Sequence, residues 1–236
     1  MRFFPILGLL AMAGCVSTVD SGQASRPAPV KAVQKAPSVP TRNKIQQFQT
    51  VVSTVEPVAE RECRARTSGQ NCDFRIVVDD RKGQPANAYQ TIDKSGRPIL
   101  AFTLALIADV RNRDELAFVM SHEAAHHIEG HIPRQQQNAA AGAILLGGLA
   151  ALTGASSTMI DQAVDIGAGV GARSYSKNFE LEADALGTLI TKRAGYDPVK
   201  GAEFFTQIPD PGDRFLGTHP PNAQRIETVR RVNAGL

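Results

Sequence analysis

The chain is poor in cysteine and carries little net charge. It contains three cysteines in 236 residues, and its formal net charge is +3. So small a charge, without a basic stripe, argues against nucleic acid as a partner. Two lone cysteines, Cys63 and Cys72, cannot build a structural zinc site by themselves. No internal repeat is evident, so an array of helical repeats is not expected, and no serine or cysteine nucleophile is apparent.

One short run points to a reaction. The chain contains His122-Glu123-x-x-His126, a pattern expected by chance only about 0.004 times in a chain of this composition. Histidines four residues apart share one helical face, where both imidazoles can bind one Zn²⁺ ion while Glu123 points at its bound water. The apolar residues before the run predict a buried helix with Asp114 as its N-cap.

A catalytic zinc ion needs a third protein ligand, and a second predicted helix offers one. Glu180 and Asp184 are four residues apart, so they share a helical face. One carboxylate can bind the metal, while the other accepts the free N–H of a zinc-bound imidazole and sets its tautomer. Glu182 points elsewhere and is predicted to lie on the surface.

These residues resemble a known family, the HtpX-like and BepA-like zinc metallopeptidases, which are gluzincins related to the prenyl-protein endopeptidases. The resemblance runs from about residue 87 to residue 230. The matching residues are His122-Glu123-x-x-His126 with His131 after it, Ser176-Lys177-x-x-Glu180-x-x-Ala183-Asp184, and Thr218-His219-Pro220-Pro221 with Arg225-Ile226. Lys177 departs from the family pattern, which usually has Arg there, but this position supplies no ligand.

The resemblance implies a role for each matching polar residue. It implies one Zn²⁺ ion per chain, held by His122, His126 and Glu180. Glu123 inherits the role of general base, and Asp184 that of the carboxylate behind a zinc ligand. The chemistry implied is hydrolysis of a peptide bond without a covalent intermediate.

The resemblance also implies a fold. It implies an α+β domain, mainly helical and zincin-like, with a small β-sheet beside the active-site helix. His219 resembles a residue near the metal that stabilises the oxyanion or closes a latent site. The residue pattern itself predicts a helix over 44–62 and strands over 73–79 and 98–104. In the family a strand like the last lies beside the cleft, where an extended substrate adds to the sheet edge.

The chain begins like a bacterial lipoprotein. Residues 1–14 read as a signal peptide, after which Cys15 becomes the lipidated first residue. The alternative is an ordinary secretory signal with an incidental cysteine, and either one exports the protein. Residues 15–40, rich in Pro and Ala, read as a disordered tether, which leaves 41–236 for the metallopeptidase domain. Val16 after the cysteine favours the outer membrane.

Export to an oxidising compartment affects the expected state of the two remaining cysteines. In an oxidising compartment, Cys63 and Cys72 are expected to form a disulfide that closes a short loop. In the tail, a helix is expected from Val199 to Phe205, and a last amphipathic helix is expected to begin with Asn222 as its cap.

The segment Ala139–Ala155 leaves several interpretations open. It is apolar and uncharged, but at about 17 residues it is short for a membrane span. We favour a helical insertion near the cleft that packs on the protein or contacts a membrane, and a mobile plug over the site is a further hypothesis. His127 and His131 are also four residues apart, so spacing alone allows a second metal site there, but no further carboxylate or histidine cluster accompanies them and we do not favour it. His131 is expected to make a structural contact near the helix end, where a cation suits the helix dipole.

Two functions from different classes remain. The first is a zinc endopeptidase of the bacterial cell envelope that cleaves misfolded or misassembled proteins and faces the periplasm. The second is a lipid-anchored holdase or assembly factor whose zinc site is structural or latent, with His219 in the fourth position. The sequence indicates neither the cleavage specificity nor the oligomeric state.

Overall fold

The computed structural model describes residues 39–174, 176–212 and 219–236. The predicted signal peptide, Cys15 and nearly all of the tether lie outside these ranges. Contacts divide the chain into a unit Met1–Lys35 and a compact unit Ala36–Leu236, which contains every residue described here.

The described part of the chain is mainly helical with one small sheet, as the predicted α+β class requires. In chain order the elements are α1 (Arg42–Arg66), β1 (Arg75–Asp79), β2 (Ala88–Ile92), β3 (Pro98–Thr103), α2 (Leu104–Asp109), α3 (Arg113–Ile128), α4 (His131–Leu152), α5 (Ser157–Ser174), α6 (Ser176–Arg193), α7 (Pro198–Ala202), a 3₁₀ turn (Glu203–Thr206) and α8 (Asn222–Ala234). The predicted helix over 44–62 corresponds to α1, and the two predicted strands correspond to β1 and β3.

Helix α3 lies at the centre of the domain and packs against α1, α6 and α7. Its residues from Glu115 to Ala125 are all buried, as the apolar run predicted. The predicted cap is wrong, because Asn112 rather than Asp114 caps the helix, with its side chain accepting a hydrogen bond from the Glu115 N–H at 2.9 Å. Asp114 lies in the first turn and pairs with Lys200 of α7.

The three strands are ordered β1-β3-β2, with β1 parallel and β2 antiparallel to β3. Strand β3 is therefore central, and both of its sides are occupied. The prediction that the strand over 98–104 offers its edge to a substrate is wrong for this reason. The strand that lines the cleft is β2, which was not predicted from the sequence.

A disulfide joins Cys63 at the end of α1 to Cys72 before β1, as predicted. The helix expected over 199–205 is split into α7 and the 3₁₀ turn. Asn222 does not cap the last helix, because Pro221 precedes it at that position. The Asn222 amide instead donates to the carbonyl oxygens of Phe205 at 2.8 Å and Ile208 at 3.2 Å. It thereby ties α8 to the chain after the 3₁₀ turn.

Helices α4 and α5 form an antiparallel hairpin that contains the ambiguous segment Ala139–Ala155. The two backbones meet at glycines, because a Cβ on Gly142 would clash with the Gly167 carbonyl and one on Gly171 with the Asn138 carbonyl. Among the described residues, no helix is long and apolar enough to cross a bilayer.

Candidate metal centre

The site forms where α6 crosses α3. Gly187 of α6 lies against α3 so closely that a Cβ there would be 3.1 Å from the His122 backbone nitrogen. This close approach places the residues one and two turns earlier in α6, Asp184 and Glu180, beside the histidines of α3. The absence of a side chain at position 187 therefore decides how close the Glu180 and Asp184 carboxylates come to the histidines of α3.

Three side chains converge with the spacing of a metal site. The Nε2 atoms of His122 and His126 are 2.9 Å apart, and the Glu180 carboxylate oxygens lie 3.6 Å and 3.4 Å from them. Ligands held about 2.1 Å from a tetrahedral zinc ion lie roughly 3.4 Å from one another. These residues can therefore hold a metal ion with small adjustments. Two imidazoles and one carboxylate, with a position left for water, are also the donor set of catalytic zinc.

Asp184 sets the orientation of the first imidazole. Its Oδ1 lies 3.0 Å from Nδ1 of His122, so with a metal bound the ring would donate its Nδ1–H there and turn the Nε2 lone pair towards the metal. Burial lowers the pKa of His122, but hydrogen bonds with Asp184 and Glu180 outweigh it and raise the pKa to about 9. The pocket is therefore negative enough to attract a cation.

Arg225 of α8 holds the two carboxylates together. Its guanidinium donates to both oxygens of Asp184, at 2.8 Å and 2.7 Å, and lies 3.1 Å from Glu180. It lies over the Phe205 ring at 4.0 Å and is only 5% exposed. Burial opposes its charge, but Asp184 and Glu180 raise its pKa above the usual value. This bidentate pair gives both oxygens of a fully buried carboxylate a donor and holds it in place.

His131 orients the second imidazole. Nδ1 of His126 lies 2.8 Å from Nδ1 of His131, whose Nε2 lies 3.1 Å from the Glu182 carboxylate. If His126 directs its Nε2 lone pair at a metal, its Nδ1–H donates to His131, which then donates from Nε2 to Glu182. Arg134 donates to the same carboxylate, and Phe179 stacks on His131 at 4.6 Å.

Two expectations about this chain of contacts are wrong. His131 makes the structural contact that was predicted, but it begins α4 rather than ending α3. Burial, the largest cause, lowers its pKa to about 4, so it is neutral rather than a cation at a helix end. Glu182 is not simply a surface residue, because the Arg134 hydrogen bond lowers its pKa and holds it against His131. His127 lies apart from both, within 2.8 Å of the Asn71 carbonyl.

An open cleft of about 520 Å³ lies over the three convergent groups. Glu123 lines it beside the histidines, and strand β2 forms one wall. His219 lines it from the chain before α8, with Nδ1 3.2 Å from Glu180 and its side chain 54% exposed. A carboxylate base and an exposed imidazole thus lie beside a metal position that a substrate can reach.

The structure brings all six predicted site residues together. Five of them line one cleft: His122, Glu123, His126, Glu180 and His219. The sixth, Asp184, is fully buried behind His122. Roles at the metal site were not predicted for His131, Glu182 and Arg225, although His131 and Arg225 stood among the matching residues. Spacing reveals only which residues of one helix share a face. His131 reaches the site from α4, Glu182 from another side of α6, and Arg225 from α8. The signal for Arg225 was its place in the matching run after His219.

A sequence model for Peptidase family M48 matches residues 45–233, which is most of the chain. The chain is also similar to the beta-barrel assembly-enhancing protease of Escherichia coli (strain K12), with 31% identity over 145 residues. That match covers 52% of this chain and 28% of the relative. The protease of the same description from Yersinia pestis is 30% identical over 149 residues, covering 55% of this chain and 29% of the relative. The chain therefore matches less than a third of the length of these relatives.

Proposed function

Because the chain belongs to peptidase family M48, we propose that it is a zinc-dependent endopeptidase of the bacterial cell envelope. The observation that carries the proposal is the convergence of His122, His126 and Glu180 beside Glu123 in an open cleft. The donor set favours zinc, since imidazole and carboxylate with one open position are typical of catalytic zinc.

Each residue of the site has a task in hydrolysis. Bound zinc supplies Lewis acidity towards a water molecule and the scissile carbonyl. Glu123 accepts the proton of the attacking water and later delivers it to the leaving amine. Asp184 keeps His122 in the tautomer that binds the metal. His219, at the rim of the cleft, donates a hydrogen bond to the oxyanion that develops on the carbonyl.

The substrate is proposed to bind in extended form along β2. Within the described ranges this strand pairs with β3 on one side only, and it forms a wall of the cleft. Main-chain hydrogen bonds to a strand edge do not depend on side chains, so cleavage tolerates many sequences. Unfolded or misassembled envelope proteins supply such segments, and the similarity to beta-barrel assembly-enhancing proteases supports this substrate class.

The location is part of the proposal. The first 14 residues act as a lipoprotein signal, Cys15 is lipidated, and residues 15–40 tether the domain to the outer membrane on its periplasmic side. Incorporation of a radioactive fatty acid into the full chain, lost in Cys15→Ala, tests the anchor. Labelling that persists in this variant would rule it out.

The decisive experiment compares the protein with Glu123→Gln on an unfolded protein substrate, with and without a chelator. We expect cleavage that stops with the chelator, returns with zinc and falls by at least a thousandfold in the variant, while bound zinc stays at one ion per chain. Glu129→Gln is the matched control, since Glu129 ends the same helix and lies outside the cleft lining. Cleavage that survives in Glu123→Gln would contradict the mechanism.

A second function has one observation in its favour. Nδ1 of His219 lies 3.2 Å from Glu180, near enough to the metal position to occupy the fourth coordination site. A holdase or assembly factor with a latent site would bind zinc and cleave nothing. His219→Ala separates the two, because it unmasks cleavage if His219 blocks the site and lowers cleavage if His219 stabilises the oxyanion.

A further inference from the structure

In the α4–α5 hairpin, glycines lie between the two helices and large aliphatic side chains lie on the outside. Where its two helices touch, the contacts are made by Gly142, Gly147, Gly167 and Gly171, and a Cβ at any of them would clash with the facing helix. The large aliphatic side chains point outward instead. The exposed fraction is 76% for Ile144, 70% for Leu145, 57% for Leu149, 88% for Leu152, 58% for Met159, 60% for Ile166 and 39% for Val170.

This placement of small and large residues is the reverse of the one that is stable in water. In water, two helices gain most by burying their large apolar residues between them. Small residues between helices and large ones outside are typical of helices whose surroundings are apolar. The hairpin contacts the rest of the domain mainly through the helices next to it in the chain, so the body of the protein does not cover these side chains.

Six of these seven exposed aliphatic residues form one face of the hairpin, and Ile144 lies on the other side of α4. At 100° per residue, Leu145, Leu149 and Leu152 form a stripe along α4, and Met159 forms one along α5 with Ile166 and Val170. The glycine contacts show which side of each helix meets the other. Counted from that side, the two stripes fall on the same side of the antiparallel hairpin. We call this surface the aliphatic face.

The charges of the hairpin lie elsewhere. No residue between Arg134 and Asp161 is charged, and the exposed Asp161 and Asp165 lie on the opposite side of α5 from the aliphatic face. A side dominated by aliphatic residues, with the charges on the opposite side, is the arrangement of helices that lie in the plane of a membrane surface; here those charges are acidic rather than the usual Lys and Arg.

The composition of the face distinguishes lipid from protein as its occupant. Protein interfaces draw most of their binding energy from aromatic residues and Arg. Helices α4 and α5 contain no Phe, Tyr or Trp, and their only arginines, Arg134 and Arg173, lie at the base of the hairpin. An aliphatic surface without such anchors fits acyl chains, which offer neither shape nor hydrogen bonds to recognise.

The tether makes a lipid surface accessible. About 25 residues separate Cys15 from Thr41, where α1 is capped, and such a segment spans at most roughly 85 Å. If Cys15 is lipidated, the domain stays within that distance of a bilayer. The local concentration of lipid is then high, so weak docking of the hairpin suffices.

We infer that the aliphatic face of the α4–α5 hairpin docks on the lipid surface to which the chain is tethered. It lies on the bilayer with its side chains among the acyl chains, and it does not cross. Docking holds the cleft at a defined height above the membrane, since His131 and Arg134 in the first turn of α4 contact the metal-binding helices. The inference rests on the proposed location of the protein at a membrane.

Vesicle flotation tests the inference. The unit Ala36–Leu236 has its own core and lacks the tether cysteine, so the lipid anchor cannot contribute to binding. We expect it to float with vesicles of phosphatidylethanolamine and phosphatidylglycerol, mixed three to one. Leu145→Gln/Leu149→Gln/Leu152→Gln is expected to reduce the bound fraction at least tenfold. Gln favours helix nearly as well as Leu, and all three sites are exposed.

The matched control is Ala140→Gln/Ala151→Gln, which changes two exposed positions of α4 away from the aliphatic face. This variant is expected to float like the parent protein. A parent that stays in solution, or a triple variant that floats equally well, would overturn the inference. So would a parent that forms a dimer which the triple variant abolishes without any vesicle binding, since the face would then join two copies.

Peptide cleavage without lipid keeps this test separate from the proposed function. The triple variant is expected to cleave a soluble unfolded protein at the parent rate, since none of its three positions lines the cleft. Absence of cleavage in both proteins would contradict the peptidase proposal and leave the flotation result to decide the docking surface.

Discussion

His126 and His131 share a hydrogen bond between their Nδ1 atoms, 2.8 Å long, that links a residue of α3 to the first residue of α4. We predict that His131→Leu weakens zinc binding about 10- to 100-fold, because it leaves the His126 Nδ1–H without its acceptor. His131→Asn keeps an oxygen near the position of Nδ1 and is expected to restore most of the affinity. Competition with a coloured chelator measures both variants. Equal zinc retention in His131→Leu and the parent would show that the contact does not orient His126.

Arg225 is predicted to be the most costly single residue to remove from the site. Arg225→Met takes the guanidinium away from both oxygens of the buried Asp184 carboxylate, which keeps only its contact with His122 among those described above, and the free energy of unfolding is expected to fall by about 3–5 kcal/mol. Arg225→Lys keeps the charge but not the bidentate geometry, so we expect an intermediate loss. Urea unfolding of the zinc-free protein gives both values. Arg230→Met, an exposed arginine of the same helix, is the control and is expected to change stability by less than about 0.5 kcal/mol.

Gly187 tests whether the packing of α6 on α3 positions the carboxylates. Gly187→Ala places a methyl group 3.1 Å from the His122 backbone, so the helices must separate slightly at a cost of about 1–3 kcal/mol. Zinc affinity is expected to fall as well, since Glu180 and Asp184 move with α6. Gly148→Ala is the control, because the space around Gly148 is open. If Gly187→Ala retains zinc as well as the control does, the close approach does not set the site.

The disulfide is predicted to stabilise the domain without contributing to catalysis. Cys63→Ser/Cys72→Ser opens a loop of ten residues, which lowers the free energy of unfolding by about 2–3 kcal/mol on the chain-entropy account. Thermal unfolding of the variant and of the reduced parent should agree. Peptide cleavage at 25 °C is expected to be unchanged, since the bridge does not line the cleft. A variant as stable as the oxidised parent would count against this role.

Glu62 is predicted to make stability depend on pH. Burial raises its pKa, but hydrogen bonds from Arg193 and Arg66 outweigh it and hold the pKa below the usual 4.5. A carboxyl whose pKa is lower in the folded state stabilises the protein above its unfolded pKa and loses that contribution as pH falls. Glu62→Gln should therefore cost on the order of 1 kcal/mol at pH 7.

The cost of Glu62→Gln should begin to shrink as pH falls through the usual pKa of 4.5, and it should be lost once the pH is below the lowered pKa of the folded state. Urea unfolding at pH 7 and at pH 3 measures the difference. Glu60→Gln is the control, since Glu60 pairs with the exposed Arg64 of the same helix. A cost that stays constant between pH 7 and pH 3 would show that the charge of Glu62 does not stabilise the fold.

Residue spacing within one helix was enough to predict the two histidines of α3 and the two carboxylates of α6. Positions four apart share a face whatever the rest of the fold does, so the sequence alone pairs His122 with His126 and Glu180 with Asp184. The buried character of α3 could be predicted in a similar way, because a run of apolar residues has to be covered.

Spacing could not reveal contacts between elements distant in sequence. Arg225 reaches Asp184 across 41 residues, and His131 reaches Glu182 across 51, so no local period records either pair. The order of the sheet was hidden too, because β3 becomes central only when β1 and β2 pair on both sides of it. Sequence alone determined which residues can bind a metal and which helices carry them. The tertiary structure decided how those residues are held, since orientation depends on partners that only folding brings together.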